Sequence, residues 1–107
     1  MNDFLRPPLY GAIHEIESVG EPSQRRLVAD VVGPICETSD FFARDLDLPE
    51  PAEGDLLAIR DAGAYGFAMS SNYNFRGRAA EVLVEANEFR IVRKRETFED
   101  LIRLESE

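Results

Sequence analysis

The sequence predicts a mainly-β fold, a small β barrel or sandwich with a short C-terminal helix. Three observations predict it. Short runs rich in apolar and β-branched residues recur, as in Leu27-Val28-Ala29-Asp30-Val31-Val32 and Glu81-Val82-Leu83-Val84-Glu85. Turn-forming Gly, Pro, Asn and Ser separate them. Helical periodicity with a start signal occurs in one stretch, residues 96–104.

The elements follow in order. Residues 1–11 read as irregular, because Pro7-Pro8 opposes regular structure. Residues 13–19 alternate loosely and read as a strand, and Gly20-Glu21-Pro22-Ser23 as a turn. Residues 25–32 form a second strand, and the apolar run 27–35 suggests that it is buried. Thr38-Ser39-Asp40 can cap a helical turn over residues 41–44. Residues 48–54 form a loop, and 55–60 a strand. In Ala62-Gly63-Ala64-Tyr65-Gly66 glycines flank an aromatic, which permits a sharp turn or a close approach. Residues 73–78 are polar and irregular. Residues 81–85 and 88–93 read as a hairpin turning at Ala86-Asn87. In the terminal helix Thr97 caps, Asp100 completes a capping box, and Phe98, Leu101 and Ile102 supply the buried stripe.

At 107 residues the chain is one domain, residues 1–107, with a core of limited size. No run approaches a membrane span, and residues 1–10 lack a signal pattern. One cysteine makes no internal disulfide, so a reducing cytoplasm is the expected home. The net charge is −9, from 21 acidic and 12 basic residues, which opposes nucleic-acid binding. Arg93-Lys94-Arg95 is flanked by Glu96, Glu99 and Asp100 and reads as a solvated face.

Chemistry concentrates in a few polar clusters. Cys36 precedes Glu37 after the apolar run, and together they can donate a proton and bind a cationic group. The plainer reading is a buried core thiol. Arg6 with Tyr10 can form a binding pair or lie on a loose terminus. Tyr65 can face a ligand or fill its own turn. Arg76 and Arg78 can bind an anion or pair with surface carboxylates. Lys94 is the only lysine. It sits between arginines, where the desolvated pocket of a Schiff-base lysine is not expected. No metal site is expected: His14 is the only histidine, and Cys36 has no partner at ligand spacing. No Gly-x-Ser-x-Gly elbow occurs.

Three linked motifs carry a resemblance. Leu5-Arg6-Pro7-Pro8-Leu9-Tyr10-Gly11-Ala12-Ile13-His14 resembles the start of the C-terminal domain core of diaminopimelate decarboxylases. Gly33-Pro34-Ile35-Cys36-Glu37-Thr38-Ser39-Asp40 is similar to that family's Cys-Glu-Ser-Gly-Asp signature. Asp61-Ala62-Gly63-Ala64-Tyr65-Gly66, with Met69, Ser71, Tyr73-Asn74 and Glu81-Val82-Leu83-Val84, is similar to its last signature. Order and spacing also agree, from about Leu5 to Leu104. The sequence departs from the pattern at Thr38-Ser39, where Ser-Gly is commoner, at Gly77, where proline is usual, and at Ile13, where tyrosine is frequent.

The resemblance implies a pyridoxal 5′-phosphate-dependent decarboxylase of the alanine-racemase-like group. Such enzymes join an N-terminal (β/α)₈ barrel to a C-terminal β domain, and only the second would be represented here. The Schiff-base lysine and the Gly-rich phosphate loop would lie on the missing barrel. The implied reaction converts meso-2,6-diaminopimelate to L-lysine and CO₂. The isolated piece is expected to be inactive. By the same resemblance Cys36 is the proton donor to the carbon that loses CO₂. Glu37 binds the substrate's distal ammonium. Arg6 and Tyr10 bind its distal carboxylate and amine end, and Tyr65 contacts cofactor and substrate. The Cys-Glu segment would serve the neighbouring subunit, making the working unit a homodimer with shared active sites.

The chemistry suits these roles. An isolated thiol is mostly protonated at neutral pH, a neighbouring carboxylate disfavours the thiolate, and a guanidinium grips a carboxylate bidentately. Two alternatives stay open: a non-catalytic stand-alone β module, or the domain of a related ornithine or arginine decarboxylase. Arg6 with Glu37 favours a zwitterionic distal end over a purely cationic one. The family's β domain also takes a strand from the start of the full chain. An open sheet edge that promotes association is therefore expected here.

Overall fold

Pro7 and Pro8 open a helix instead of forbidding one. The computed structural model describes residues 1–105. In it helix α1 spans Arg6–Tyr10 with proline at its first positions. The missing N–H groups cost nothing there, because the first turn has no intrahelical acceptors for them. Gly11 closes the helix at φ 63°, donating its N–H to the Pro7 carbonyl at 2.9 Å.

The described residues are mainly extended, with a short C-terminal helix, as the sequence predicts. The strands pair two by two, as three antiparallel two-stranded sheets. Strand β1, Ile16–Ser18, pairs with β4, Leu57–Ile59, setting Glu17 opposite Ala58. Strand β2, Arg26–Val32, pairs with β3, Phe41–Pro49, setting Leu27 opposite Leu48. Strand β5, Glu81–Glu85, and β6, Glu88–Arg93, form the expected hairpin, turning at Ala86 with φ 53°. Helix α2, Phe98–Ile102, carries the expected capping box between Thr97 and Asp100.

Several local expectations are corrected. Strand β2 alternates exposed and half-buried residues, so one face remains in water and the strand is not buried on both sides. Residues 41–44 are strand, not a helical turn. Phe41 and Phe42 favour extended backbone, and Asp40 turns inward to accept a bond instead of capping a helix. Within the 73–78 segment, read as irregular, Asn74 and Phe75 both adopt positive φ in a short 3₁₀ turn over Tyr73–Phe75. Phe98 is 60% exposed, so the stripe of α2 is only partly covered. Its ring meets the Phe75 ring edge-on at 5.9 Å.

The core is small. Phe4, Ile35 and Leu48 are its buried hydrophobic side chains, and Asn2 and Asp40 are buried beside them. Phe4 meets His14 edge-on at 4.6 Å, and His14 Nδ1 lies 3.0 Å from the Arg60 carbonyl. Asn2 Nδ2 donates to the Tyr73 carbonyl at 2.6 Å, while Ser71 N–H donates to the Asn2 carbonyl at 3.0 Å. These contacts seat α1 beside the segment that follows β4. The radius of gyration is 15.7 Å, against about 13 Å for a compact domain of this size.

Candidate functional site

Arg6 and Tyr10 lie at the two ends of α1, four residues apart and therefore on one face. The Arg6 guanidinium sits 5.8 Å from the Tyr10 ring centre and 4.8 Å from that of Tyr65. Tyr65 arrives from the turn after β4. Gly66 N–H donates to the Ala62 carbonyl at 2.8 Å, and a Cβ on residue 66 would stand 2.9 Å from that same oxygen. The glycine thus lets the turn close tightly enough to present the tyrosine. Tyr10 is 65% exposed and Tyr65 52%. Among the described residues Arg6 has no carboxylate partner, and the Tyr65 hydroxyl has no hydrogen bond. The structure therefore gathers three sequence-predicted site residues into one open group, a guanidinium flanked by two phenols.

Cys36 and Glu37 occupy a second place, the loop between β2 and β3. The thiol is exposed, so the buried-core reading of Cys36 does not hold. Glu37 is exposed as well. Its Oε1 accepts from the Ser39 N–H and the Thr38 hydroxyl, both at 3.3 Å. Those bonds, the Ser39 N–H foremost, hold its carboxyl below the usual range and keep it anionic. A cleft of about 370 Å³ opens beside Glu37, bordered by Ile35, Thr38, Phe41 and Arg44. No hydrogen bond, ion pair or ring contact among the described residues joins this loop to the Arg6 group.

The two remaining arginines divide. Arg78 is committed: its Nε donates to Glu96 Oε1 and its backbone N–H to Glu96 Oε2, each at 2.8 Å. The Arg78 guanidinium, its backbone N–H and the Asn72 amide together draw the Glu96 carboxyl down to about 2. Arg76 forms no ion pair among the described residues. Lys94 is exposed at the end of the hairpin, as expected. Arg93 pairs with Glu81 and lays its guanidinium 3.9 Å from the Phe67 ring centre. No cluster of potential metal ligands occurs among the described residues.

Sequence reasoning missed Glu96 and Asn72 as the clasp on Arg78, and misread Asp40. No local signal marks a clasp whose members lie 24 residues apart.

The chain is similar in sequence and fold to known proteins. A diaminopimelate decarboxylase of Neisseria meningitidis serogroup A is 58% identical over 99 residues, covering 92% of this chain and 24% of the relative. One from Pseudomonas aeruginosa is 57% identical over 106 residues, covering 99% and 25%. The crystal structure of the Helicobacter pylori diaminopimelate decarboxylase complexed with L-lysine superposes with a TM-score of 0.90 at 51% identity, covering 98% of this chain and 26% of that one. The chain thus spans about a quarter of the length of the relatives it matches. Residues 1–63 match the family described as pyridoxal-dependent decarboxylase, C-terminal sheet domain, and the chain belongs to that family.

Proposed function

We propose that this chain is the substrate-binding and dimerisation domain of a diaminopimelate decarboxylase. In that reading a (β/α)₈ barrel carries pyridoxal 5′-phosphate and its Schiff-base lysine, and the reaction converts meso-2,6-diaminopimelate to L-lysine and CO₂. The observation that carries the proposal is Arg6. Its guanidinium lies between two exposed tyrosine rings with no carboxylate partner among the described residues. A substrate carboxylate is the natural occupant. The names of the relatives and the L-lysine in the H. pylori structure support the substrate class.

The residues present fit part of a pyridoxal site. Tyr65 offers a half-exposed ring beside a cation and a hydroxyl with no hydrogen bond among the described residues, which suits a polar, phosphate-bearing ligand. When bound, the cofactor supplies the electron sink for loss of CO₂. Tyr65 would contact it, and Arg6 with Tyr10 would orient the substrate's distal carboxylate. Glu37 would hold the distal ammonium with a carboxylate already kept ionised by Ser39 and Thr38. Cys36 would return a proton to the substrate carbon from an exposed thiol. Arg6 favours a distal carboxylate and so argues against a purely cationic ornithine- or arginine-like substrate.

Among the described residues no hydrogen bond, ion pair or ring contact joins Cys36 or Glu37 to Arg6, Tyr10 or Tyr65, and Cys36, Glu37, Tyr10 and Tyr65 are exposed. That lack of contact supports a homodimer in which each protomer's Cys-Glu loop completes the other's site. The free thiol also suits a reducing cytoplasm. The test is CO₂ release from meso-diaminopimelate by the full enzyme carrying this domain. Cys36→Ala and Glu37→Ala are expected to lose activity. Full activity in both would refute the site assignment.

A further inference from the structure

The loop that carries Cys36 and Glu37 is built around a carboxylate that none of these roles uses. Asp40 is 4% exposed, the one charged residue buried among those described. Its Oδ2 accepts the Ile35 N–H at 2.7 Å, just before Cys36 in the chain. Its backbone N–H donates to the Glu37 carbonyl at 3.0 Å, and its carbonyl accepts the Gly33 N–H at 2.9 Å. The carboxylate also lies against Gly33, where an added Cβ would stand 2.6 Å from Asp40 Cγ. Bonds from one residue thus reach both ends of the loop and its middle. By contrast, the exposed residues 36–38 have near-neighbour support: the bonds around Glu37 Oε1 and one from Arg44 Nη2 to the Thr38 carbonyl at 3.1 Å.

We propose that Asp40 is the positioning residue of this loop. Its carboxylate fixes where the Cys36 thiol and the Glu37 carboxylate stand, without touching substrate itself, and Gly33 is the space that lets it do so. The proposal deepens the reading of Cys36 and Glu37 given above and rests on it. Removing the carboxylate leaves a buried N–H without its acceptor and, in this chain, the Met1 amino group without its ion pair. It also loosens the residue directly before the thiol, while the backbone bonds of residue 40 to Glu37 and Gly33 remain, and small misplacements of reacting groups are costly to rate.

The test uses the full decarboxylase with Asp40→Ala, Asp40→Asn, Gly33→Ala and, as reference, Cys36→Ala. The readouts are kcat and KM per cofactor-loaded site, and amide hydrogen exchange in residues 33–41 and 81–93. Asp40→Ala is expected to lower kcat about 10²-fold per loaded site. Exchange should quicken in 33–41 and stay unchanged in 81–93. Asp40→Asn retains an acceptor oxygen for Ile35 and should recover kcat to within about tenfold of the parent. Gly33→Ala should reproduce the loosened loop and the lower kcat with the carboxylate still present. Wild-type kcat in Asp40→Ala overturns the proposal, as does a lower kcat with unchanged exchange in 33–41. If Asp40→Ala does not fold, wild-type kcat in both Asp40→Asn and Gly33→Ala overturns it. Full activity in Cys36→Ala overturns the site reading itself, and the proposal with it.

Discussion

The two halves of this molecule are held by different physics. Every described residue classed as buried lies between Asn2 and Leu48. There Phe4, Ile35 and Leu48 exclude water, while Asn2 and Asp40 satisfy backbone groups around them. The C-terminal hairpin and α2 contain no buried residue. They are tied by Arg78–Glu96, by Arg93–Glu81 and by the capping box. Four of the five site residues, Arg6, Tyr10, Cys36 and Glu37, fall within the Asn2–Leu48 half, and Tyr65 lies outside both. The hairpin instead turns Val82, Val84, Phe89 and Ile91 to solvent from facing positions. Most of the exposed site groups therefore stand on the anchored half. The charge-tied half exposes apolar surface of the kind found at interfaces.

The sharpest way to break this comparison is at the anchored half. Cys36→Ala in the full enzyme should lower kcat by about 10²–10⁴-fold, the usual range for removing a general acid, as read by CO₂ release. Next comes Arg6. Arg6→Ala should raise KM for diaminopimelate by about 10–100-fold, the scale of one charge-assisted bond. Arg6→Lys should not rescue it, because an ammonium lacks the planar fork. An equal KM in Arg6→Lys and the parent would remove the carboxylate-binding role.

The charge-tied half should respond to acid and not to catalysis. The Glu96 carboxyl is drawn from 4.5 down to about 2 in the folded chain. A depressed carboxylate contributes stability above its unfolded value and loses it as pH falls through the folded one. The clasp should therefore be intact above pH 4.5 and release between 4.5 and about 2. Amide exchange in residues 78–96 would report it. Glu96→Gln should remove that acid transition and leave kcat unchanged. A lower kcat would show that this half enters the chemistry after all.

The smallest effect is expected on the open hairpin. Val84→Thr with Phe89→Ser removes a facing pair, worth about 0.2–1 kcal/mol in a sheet. Thermal melting of the isolated domain should shift little, while sedimentation should show less self-association. A clean monomer before any substitution would contradict the expected role of the open edges.

The hairpin and the capped helix were legible because their signals are local: alternation, a turn pair, and Thr97 three residues before Asp100. Residues 41–44 were misread for the same reason. Thr38-Ser39-Asp40 resembles a cap, but Asp40 is recruited by the Ile35 N–H, and the strand then forms against β2. Pro7-Pro8 misled because a proline pair is neutral at a helix start and disruptive elsewhere. The site residues were recognisable by motif, and Arg6 with Tyr10 by spacing. The approach of Tyr65 to Arg6 was not, since it depends on a turn 59 positions away and on the Asn2 contacts that seat α1.

The central claim is that the Cys36–Glu37 loop of one protomer completes the Arg6–Tyr10–Tyr65 group of another. Subunit mixing tests it most directly. Cys36→Ala and Arg6→Ala enzymes, each nearly inactive alone, are unfolded together and reassembled. Half of a random population is mixed dimers, each with one intact shared site, so about a quarter of the parental activity should return. A mixture as inactive as its two components would place both groups in the same protomer's site and contradict the account.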